Sequence, residues 1–107
     1  MESLNGQNAL VIGGGSGMGA ATALLLAQKG ASVAISGRKE ESLLEIASQK
    51  GEGEVLVTHP ADVADRKSLE RLFDWFDKEI GALNVLVNAA GINIPKRAID
   101  EVSGQDW

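Results

Sequence analysis

Seven residues near the amino end have the composition of a phosphate-binding loop. Five of the seven positions from Gly13 to Gly19 are glycine, and the other two are Ser16 and Met18. Glycine adopts positive φ and carries no Cβ, so such a loop lets a phosphate approach the backbone closely. A helix that begins there also points unpaired N–H groups and the positive end of its dipole at the phosphate. The spacing predicts a pyrophosphate site formed by Gly13, Gly15, Ser16, Gly17, Met18 and Gly19.

Other kinds of glycine-rich segment fit the sequence less well, although a simple glycine-rich turn stays open. A phosphate loop of the ATPase kind ends in Gly-Lys-Ser or Gly-Lys-Thr, whereas this loop ends in Gly17-Met18-Gly19 and has no lysine. The small-xxx-small spacing of the glycines also occurs in membrane helices. No apolar run in the chain approaches the roughly 20 residues that a membrane span requires.

The elements that must position this loop are short apolar runs alternating with helical stretches. We predict strands over 8–12, 31–36, 54–58 and 83–87, and helices over 17–29, 40–50 and 66–80, with Asp65 as the N-cap of the last helix. This alternation is typical of a parallel sheet. Right-handed crossovers then give a Rossmann-like, doubly wound α/β domain over residues 1–107 with strand order 3-2-1-4. Ligands bind such sheets at the carboxyl ends of the strands, here between strands one and four.

Length and composition exclude several classes of protein. The chain has 107 residues, which is enough for one domain at most. Its net charge of −5 argues against a nucleic-acid or acidic-membrane surface. It contains no cysteine, so disulfides and thiolate metal sites are absent, and we expect no metal site of another kind. The first residues lack the basic and apolar segments of a signal peptide, so we expect a cytoplasmic protein.

Three motifs occur together in an order that resembles a known family. Gly13, Gly17 and Gly19 form a Gly-x-x-x-Gly-x-Gly pattern, Asp62-Val63 follows the third strand, and Asn88-Ala89-Ala90-Gly91 ends the fourth. On these residues the sequence from about position 6 to position 107 resembles the short-chain dehydrogenase/reductase family. The resemblance implies an oxidoreductase that transfers a hydride between a nicotinamide cofactor and a small alcohol or ketone. It also implies a homo-oligomer, a dimer or a tetramer.

The resemblance assigns roles to the residues at the ends of strands three and four. Asp62 would accept a hydrogen bond from the adenine amino group, and the Val63 N–H would donate to an adenine ring nitrogen. The small residues Ala89-Ala90-Gly91 would let a cofactor ribose lie against the backbone, and Asn88 would brace the neighbouring backbone. A simple turn residue is the alternative interpretation of Asp62.

The end of the second strand favours one nicotinamide cofactor over the other. An acid at this position binds the ribose hydroxyls of NAD, whereas a basic group pairs with the 2′-phosphate of NADP. The sequence places Arg38 and Lys39 there, and the nearest acids, Glu40 and Glu41, begin the next helix. Arginine forms two-pronged contacts with phosphate, and lysine adds charge. We therefore expect NADP(H) to be preferred, with NAD(H) as the alternative; a solvated basic turn is the other interpretation of Arg38 and Lys39.

The residues that perform hydride transfer in the resembled family have no match. Its members use a Ser, an Asn and a Tyr-x-x-x-Lys pair after the fourth strand, and this sequence has no tyrosine. We therefore assign no catalytic residue, expect the chain to be the cofactor-binding half of an enzyme, truncated after the fourth strand, and expect it to be inactive alone. A stand-alone, non-catalytic nucleotide-binding or interaction module is the alternative. A Rossmann-like methyltransferase is a weaker alternative, because that class needs an acid at the end of the second strand to bind ribose hydroxyls, and the sequence has Arg38 there.

Overall fold

Four strands and three helices alternate along the part of the chain that the structure describes. The computed structural model describes residues 3–13, 15 and 17–89. Its elements, in chain order, are β1 (Asn8–Ile12), α1 (Gly17–Gln28), β2 (Ser32–Ser36), α2 (Glu40–Ala47), β3 (Val55–Thr58), α3 (Arg66–Glu79) and β4 (Val85–Asn88). None of the described helices is both long enough and apolar enough to cross a membrane.

All strand pairs are parallel, and the sheet order is β3-β2-β1-β4. β1 lies at the centre, with Leu10 in register with Ala34 of β2 and with Leu86 of β4. The direction of strand addition therefore reverses between β1 and β4, as the sequence predicts. The predicted doubly wound α/β architecture is confirmed.

The two faces of the sheet carry separate hydrophobic layers. On one face Leu10 and Ile12 of β1 pack with the buried stripe of α3, which consists of Leu69, Leu72, Phe73 and Phe76. On the other face Ala9 and Val11 pack with the small residues Ala23 and Ala27 of α1 and with Leu43 of α2. Alternate residues of a strand point to opposite faces, so this central strand supplies both layers. The predicted placement of α1 and α2 on one face and α3 on the other is confirmed.

Several element boundaries differ from the predicted ones by one to three residues, and the two clearest have a visible cause. α2 ends at Ala47 rather than at position 50, because the following N–H groups of Gln49 and Lys50 bond to carbonyls only three residues back. β4 begins at Val85 rather than at position 83. The Asn8 N–H donates to the Asn84 side-chain oxygen at 2.7 Å, so a side chain replaces a backbone carbonyl as the acceptor just before β4.

α3 begins with a side-chain cap at the residue that the sequence predicts. The Asp65 carboxylate accepts a hydrogen bond from the Lys67 N–H at 3.1 Å, and Asp65 itself has extended backbone angles. We expect Asp65→Ala to lower the free energy of unfolding by about 1 kcal/mol, because one N–H of the first turn loses its partner. Urea denaturation measures this change. Asp65→Asn keeps the acceptor and should lose less; equal losses for the two variants would contradict the capping role.

Candidate functional site

A cleft of about 400 Å³ lies at the carboxyl ends of the strands. Its walls come from the turn after β1, from the segments after β2 and β3, and from the residue after β4. Seven of the predicted site residues line it: Gly13, Gly15, Arg38, Lys39, Asp62, Val63 and Ala89. The sheet order thus brings together residues that are far apart in sequence, at the edge where ligands of such sheets bind.

The turn after β1 depends on glycine for its backbone shape. Gly13 has a φ of 84° and Gly17 has a φ of 58°, both in the left-handed region that residues with a Cβ rarely adopt. The Gly13 N–H donates to the Ser36 carbonyl at 2.8 Å, which ties the turn to the end of β2. The hydrogen bond holds the point where the chain leaves the sheet, and the left-handed φ of Gly17 lies at the start of α1.

Gly19 allows α1 to pack against the turn that precedes it. A Cβ at this position would overlap the Gly13 carbonyl oxygen, and it would lie 2.9 Å from the Gly13 carbonyl carbon and 3.2 Å from the Ala89 Cβ. The sequence suggests that Gly19 leaves space for a phosphate. In the structure the first groups that a side chain would meet are protein atoms, so this glycine serves close helix packing.

The ends of β2 and β3 are joined by a fully buried hydroxyl and by backbone hydrogen bonds. The Ser36 hydroxyl donates to the His59 carbonyl at 2.6 Å. The His59 N–H donates to the Ile35 carbonyl at 3.1 Å, and the Ala61 N–H donates to the Gly37 carbonyl at 2.9 Å. Because the two segments stay side by side beyond the last strand residues, they carry Arg38 and Asp62 to the same rim of the cleft.

The Asp62 carbonyl accepts the Asp65 N–H at 3.0 Å, and Asp62 has further contacts of different chemistry. Its Oδ1 accepts the Ala64 N–H at 3.0 Å, and its own N–H donates to the Ser68 hydroxyl at 2.9 Å. Its Oδ2 lies 3.6 Å from Arg38 Nη2 in an ion pair whose side chains are 46% and 73% exposed, respectively. Asp62 is therefore a turn residue, as the alternative interpretation holds, and it also presents one carboxylate oxygen at the rim.

Some predicted site residues lie outside the cleft lining or outside the described residues. Gly17, Met18 and Asn88 are described but do not line the cleft, and Met18 is 80% exposed at the start of α1. Gly19 also lies outside the lining, packed as described above. The predictions for Ser16, Ala90 and Gly91 fall outside the described residues.

Two lining residues from α2 were not predicted as site residues. Ser42 and Leu43 line the cleft, and a Cβ on Gly15 would lie 3.3 Å from the Ser42 Cβ. The first turn of α2 therefore packs beside the glycine turn. A sequence signal exists, because Ser42 lies three residues after Lys39 and so belongs to the first turn of the helix that begins directly after the basic pair.

The only histidine lies outside the lining of the cleft. The His59 ring stacks on Trp75 of α3 with ring centroids 4.7 Å apart, and Trp75 packs at the border of the α3-side core. The His59 Nδ1 is buried and has no hydrogen-bond partner among the described residues. This position agrees with the prediction that His59 is a strand-end residue rather than a catalytic base.

The parallel strand order, the helices packed on both faces of the sheet and the glycine turn define a Rossmann-like α/β domain. A family model described as short chain dehydrogenase matches residues 7–107. The chain belongs to the short-chain dehydrogenase family.

The relatives that the chain matches are longer proteins. An uncharacterised oxidoreductase of Staphylococcus aureus is 34% identical over 100 residues, which cover 94% of this chain and 43% of the relative. A dehydrogenase/reductase structure from Sinorhizobium meliloti is 36% identical with a TM-score of 0.72, covering 84% of this chain and 36% of that one. The Pseudomonas aeruginosa RhlG/NADP active-site complex is 32% identical with a TM-score of 0.77, covering 94% and 40%. The chain thus spans less than half of each relative.

Proposed function

We propose that this chain is the NADP(H)-binding part of an oxidoreductase that transfers a hydride between the cofactor and a small alcohol or ketone. The observation that carries the proposal is the cleft at the strand ends, which is lined both by the glycine turn and by Arg38 with Lys39. The nicotinamide cofactor supplies the hydride chemistry. The residues of this chain bind and orient it.

The size and the lining of the cleft support a small-molecule ligand that carries phosphate groups. A volume of about 400 Å³ lies within the range of small-molecule sites. Gly13, Gly15 and Gly17 carry no Cβ, and Gly13 and Gly17 have positive φ, so a pyrophosphate can approach the backbone of this turn closely. Ala89 adds a small wall after β4, against which a ribose can lie.

We assign the adenosine end of the cofactor to the rim formed by the segments after β2 and β3. Asp62 Oδ2 would accept from an adenine amino group, since Oδ1 is bonded to the Ala64 N–H and the 3.6 Å contact of Oδ2 with Arg38 is too long for a hydrogen bond and leaves Oδ2 a free lone pair. The Val63 N–H would serve an adenine ring nitrogen. The remaining assignments, to Ser16, Met18, Gly19, Asn88, Ala90 and Gly91, stay part of the proposal on the grounds of sequence.

The charge of the rim supports NADP(H) over NAD(H). Arg38 and Lys39 follow β2 and line the cleft, while Glu40 and Glu41 belong to the first turn of α2 and lie outside its lining. Acidic side chains in that position suit the positive end of the helix dipole. The solved RhlG complex, a relative of this chain, contains NADP, which agrees with the same choice.

We expect the protein to bind NADPH more tightly than NADH. The two cofactors differ only in the 2′-phosphate, so the difference between their dissociation constants measures the contribution of that group. Titration calorimetry of both cofactors with the full chain measures it directly. Equal affinities would contradict the choice of NADP(H), and no binding of either cofactor would contradict the whole proposal.

The proposal also covers the protein beyond this chain. The alternative, a non-catalytic nucleotide-binding or interaction module, is not favoured, because the relatives described above are named as oxidoreductases or dehydrogenase/reductases. The alcohol or ketone substrate, the homo-oligomer and the cytoplasmic location stay predictions. Sequencing the reading frame around this segment tests the catalytic part, because a Ser and a Tyr-x-x-x-Lys pair should follow it.

A further inference from the structure

Two opposite charges of the cleft rim face each other. Arg38 Nη2 lies 3.6 Å from Asp62 Oδ2, which is an ion-pair distance but longer than a hydrogen bond. Both side chains are exposed. Exposed ion pairs are weak and easily rearranged. Arg38 is therefore available to another anion, provided that the anion offers better contacts than Asp62 does.

The two partners differ in how firmly they are held. The Asp62 carboxylate is fixed by the Ala64 N–H, and its backbone N–H is fixed by the Ser68 hydroxyl. The side chain of Arg38 is 73% exposed, on a long and flexible stem. When a ligand enters, Arg38 is the partner that moves, and Asp62 remains as a stationary negative charge.

We propose that Asp62 competes with the 2′-phosphate of NADP(H) for Arg38 and thereby limits the preference for this cofactor. The inference rests on the proposed function, since it concerns the same cleft. A phosphate offers a guanidinium two parallel charge-assisted bonds and displaces a single carboxylate oxygen. That displacement subtracts the energy of the Arg38–Asp62 pair from NADP(H) binding. NAD(H) has no 2′-phosphate, so it leaves the pair intact.

The substitution Asp62→Asn isolates this effect. Asparagine keeps the shape of the side chain and the Oδ1 acceptor for the Ala64 N–H, but it removes the charge. A lost contact with adenine weakens NADPH and NADH equally, and so it cancels in the ratio of their dissociation constants. We expect the preference for NADPH over NADH to rise by about two- to fivefold, the range of an exposed ion pair. Calorimetric titration of both cofactors gives this ratio.

A second background shows whether the effect acts through Arg38. In an Arg38→Ala protein the same Asp62→Asn change should raise the preference for NADPH less, because the guanidinium for which Asp62 and the phosphate compete is absent. Asp62→Ser also removes the charge and keeps a hydroxyl that can accept the turn bond, so it repeats the test if the asparagine variant folds poorly. Circular dichroism of each variant verifies its fold.

The outcomes separate this inference from the proposed function. Wild-type protein that binds neither dinucleotide overturns both. If the wild-type protein binds NADPH, but Asp62→Asn leaves the preference for NADPH over NADH unchanged or lowers it, only the competition is overturned. An equal rise in the Arg38→Ala background also overturns it, because Asp62 would then repel the phosphate directly rather than compete for Arg38.

Discussion

Replacing Gly19 by valine is expected to abolish dinucleotide binding. A Cβ at this position overlaps the Gly13 carbonyl oxygen and crowds the Ala89 Cβ, and neither backbone nor a short side chain can move aside. α1 must therefore shift away from the turn, or Gly13, which lines the cleft, must move. Either change displaces the backbone that would hold the phosphates. A β-branched side chain makes the overlap worse because its χ1 is restricted. Calorimetry with NADPH should show no measurable heat of binding.

A matched glycine on the surface supplies the control for this variant. The three nearest atoms to a Cβ on Gly51 all belong to the carboxylate of Glu54, the far end of a flexible side chain that also accepts the Gly51 N–H at 2.9 Å. Gly51 does not line the cleft. Gly51→Val should therefore bind NADPH as wild type does. Circular dichroism should show that Gly19→Val keeps the parallel sheet with a lower thermal midpoint. Unchanged affinity in Gly19→Val would mean that the ligand binds elsewhere.

Replacing Arg38 by aspartate is expected to shift cofactor preference from NADPH toward NADH by about 1–3 kcal/mol, the scale of charge-assisted contacts with phosphate. The variant loses the guanidinium that would contact the 2′-phosphate. It also places a second carboxylate near Asp62, and two negative charges repel the phosphate more than one. A carboxylate after β2 can in addition accept hydrogen bonds from the ribose hydroxyls of NADH.

Two further variants show which property of Arg38 matters. Arg38→Lys keeps the positive charge but loses the two-pronged geometry, so its preference should fall between those of wild type and Arg38→Asp. Lys39→Asp tests whether the neighbouring charge contributes independently. The measurement is the ratio of the dissociation constants for the two cofactors at one fixed salt concentration, since screening weakens exposed charges. An Arg38→Asp protein with the wild-type ratio would show that the phosphate lies away from β2.

The strand order and the faces of the helices could be predicted because they follow from patterns that extend over whole elements. Alternating strands and helices require a parallel sheet, and the handedness of the crossovers then fixes the layers. The exact first and last residues of an element depend on individual hydrogen bonds, which a hydrophobic pattern does not predict. The Asn8 N–H of β1 donates to the Asn84 side chain rather than to a backbone carbonyl of β4. α2 ends at Ala47 because the N–H groups that follow bond to carbonyls three residues back.

In the candidate site, features next to a strand in the sequence could be predicted, whereas contacts between residues far apart in the sequence could not. The glycine turn and the basic pair adjoin strand ends in the sequence, so their place at the cleft could be predicted. The contact between Arg38 and Asp62 joins residues 24 positions apart, and it depends on how β2 and β3 end side by side. The packing reason for Gly19 requires the position of the Gly13 carbonyl, which only the folded turn provides.

The separation between the buried Ser36 hydroxyl and the exposed side chains of the rim has an evolutionary consequence. Ser36 and the backbone bonds beside it hold the ends of β2 and β3 together, whereas Arg38 and Lys39 do not take part in that bonding. Substitutions at exposed positions usually change stability little. Under the proposed cofactor contacts, exchanging these surface residues, which lie two and three positions beyond β2, would change the cofactor preference of a lineage while the strand itself stays unaltered.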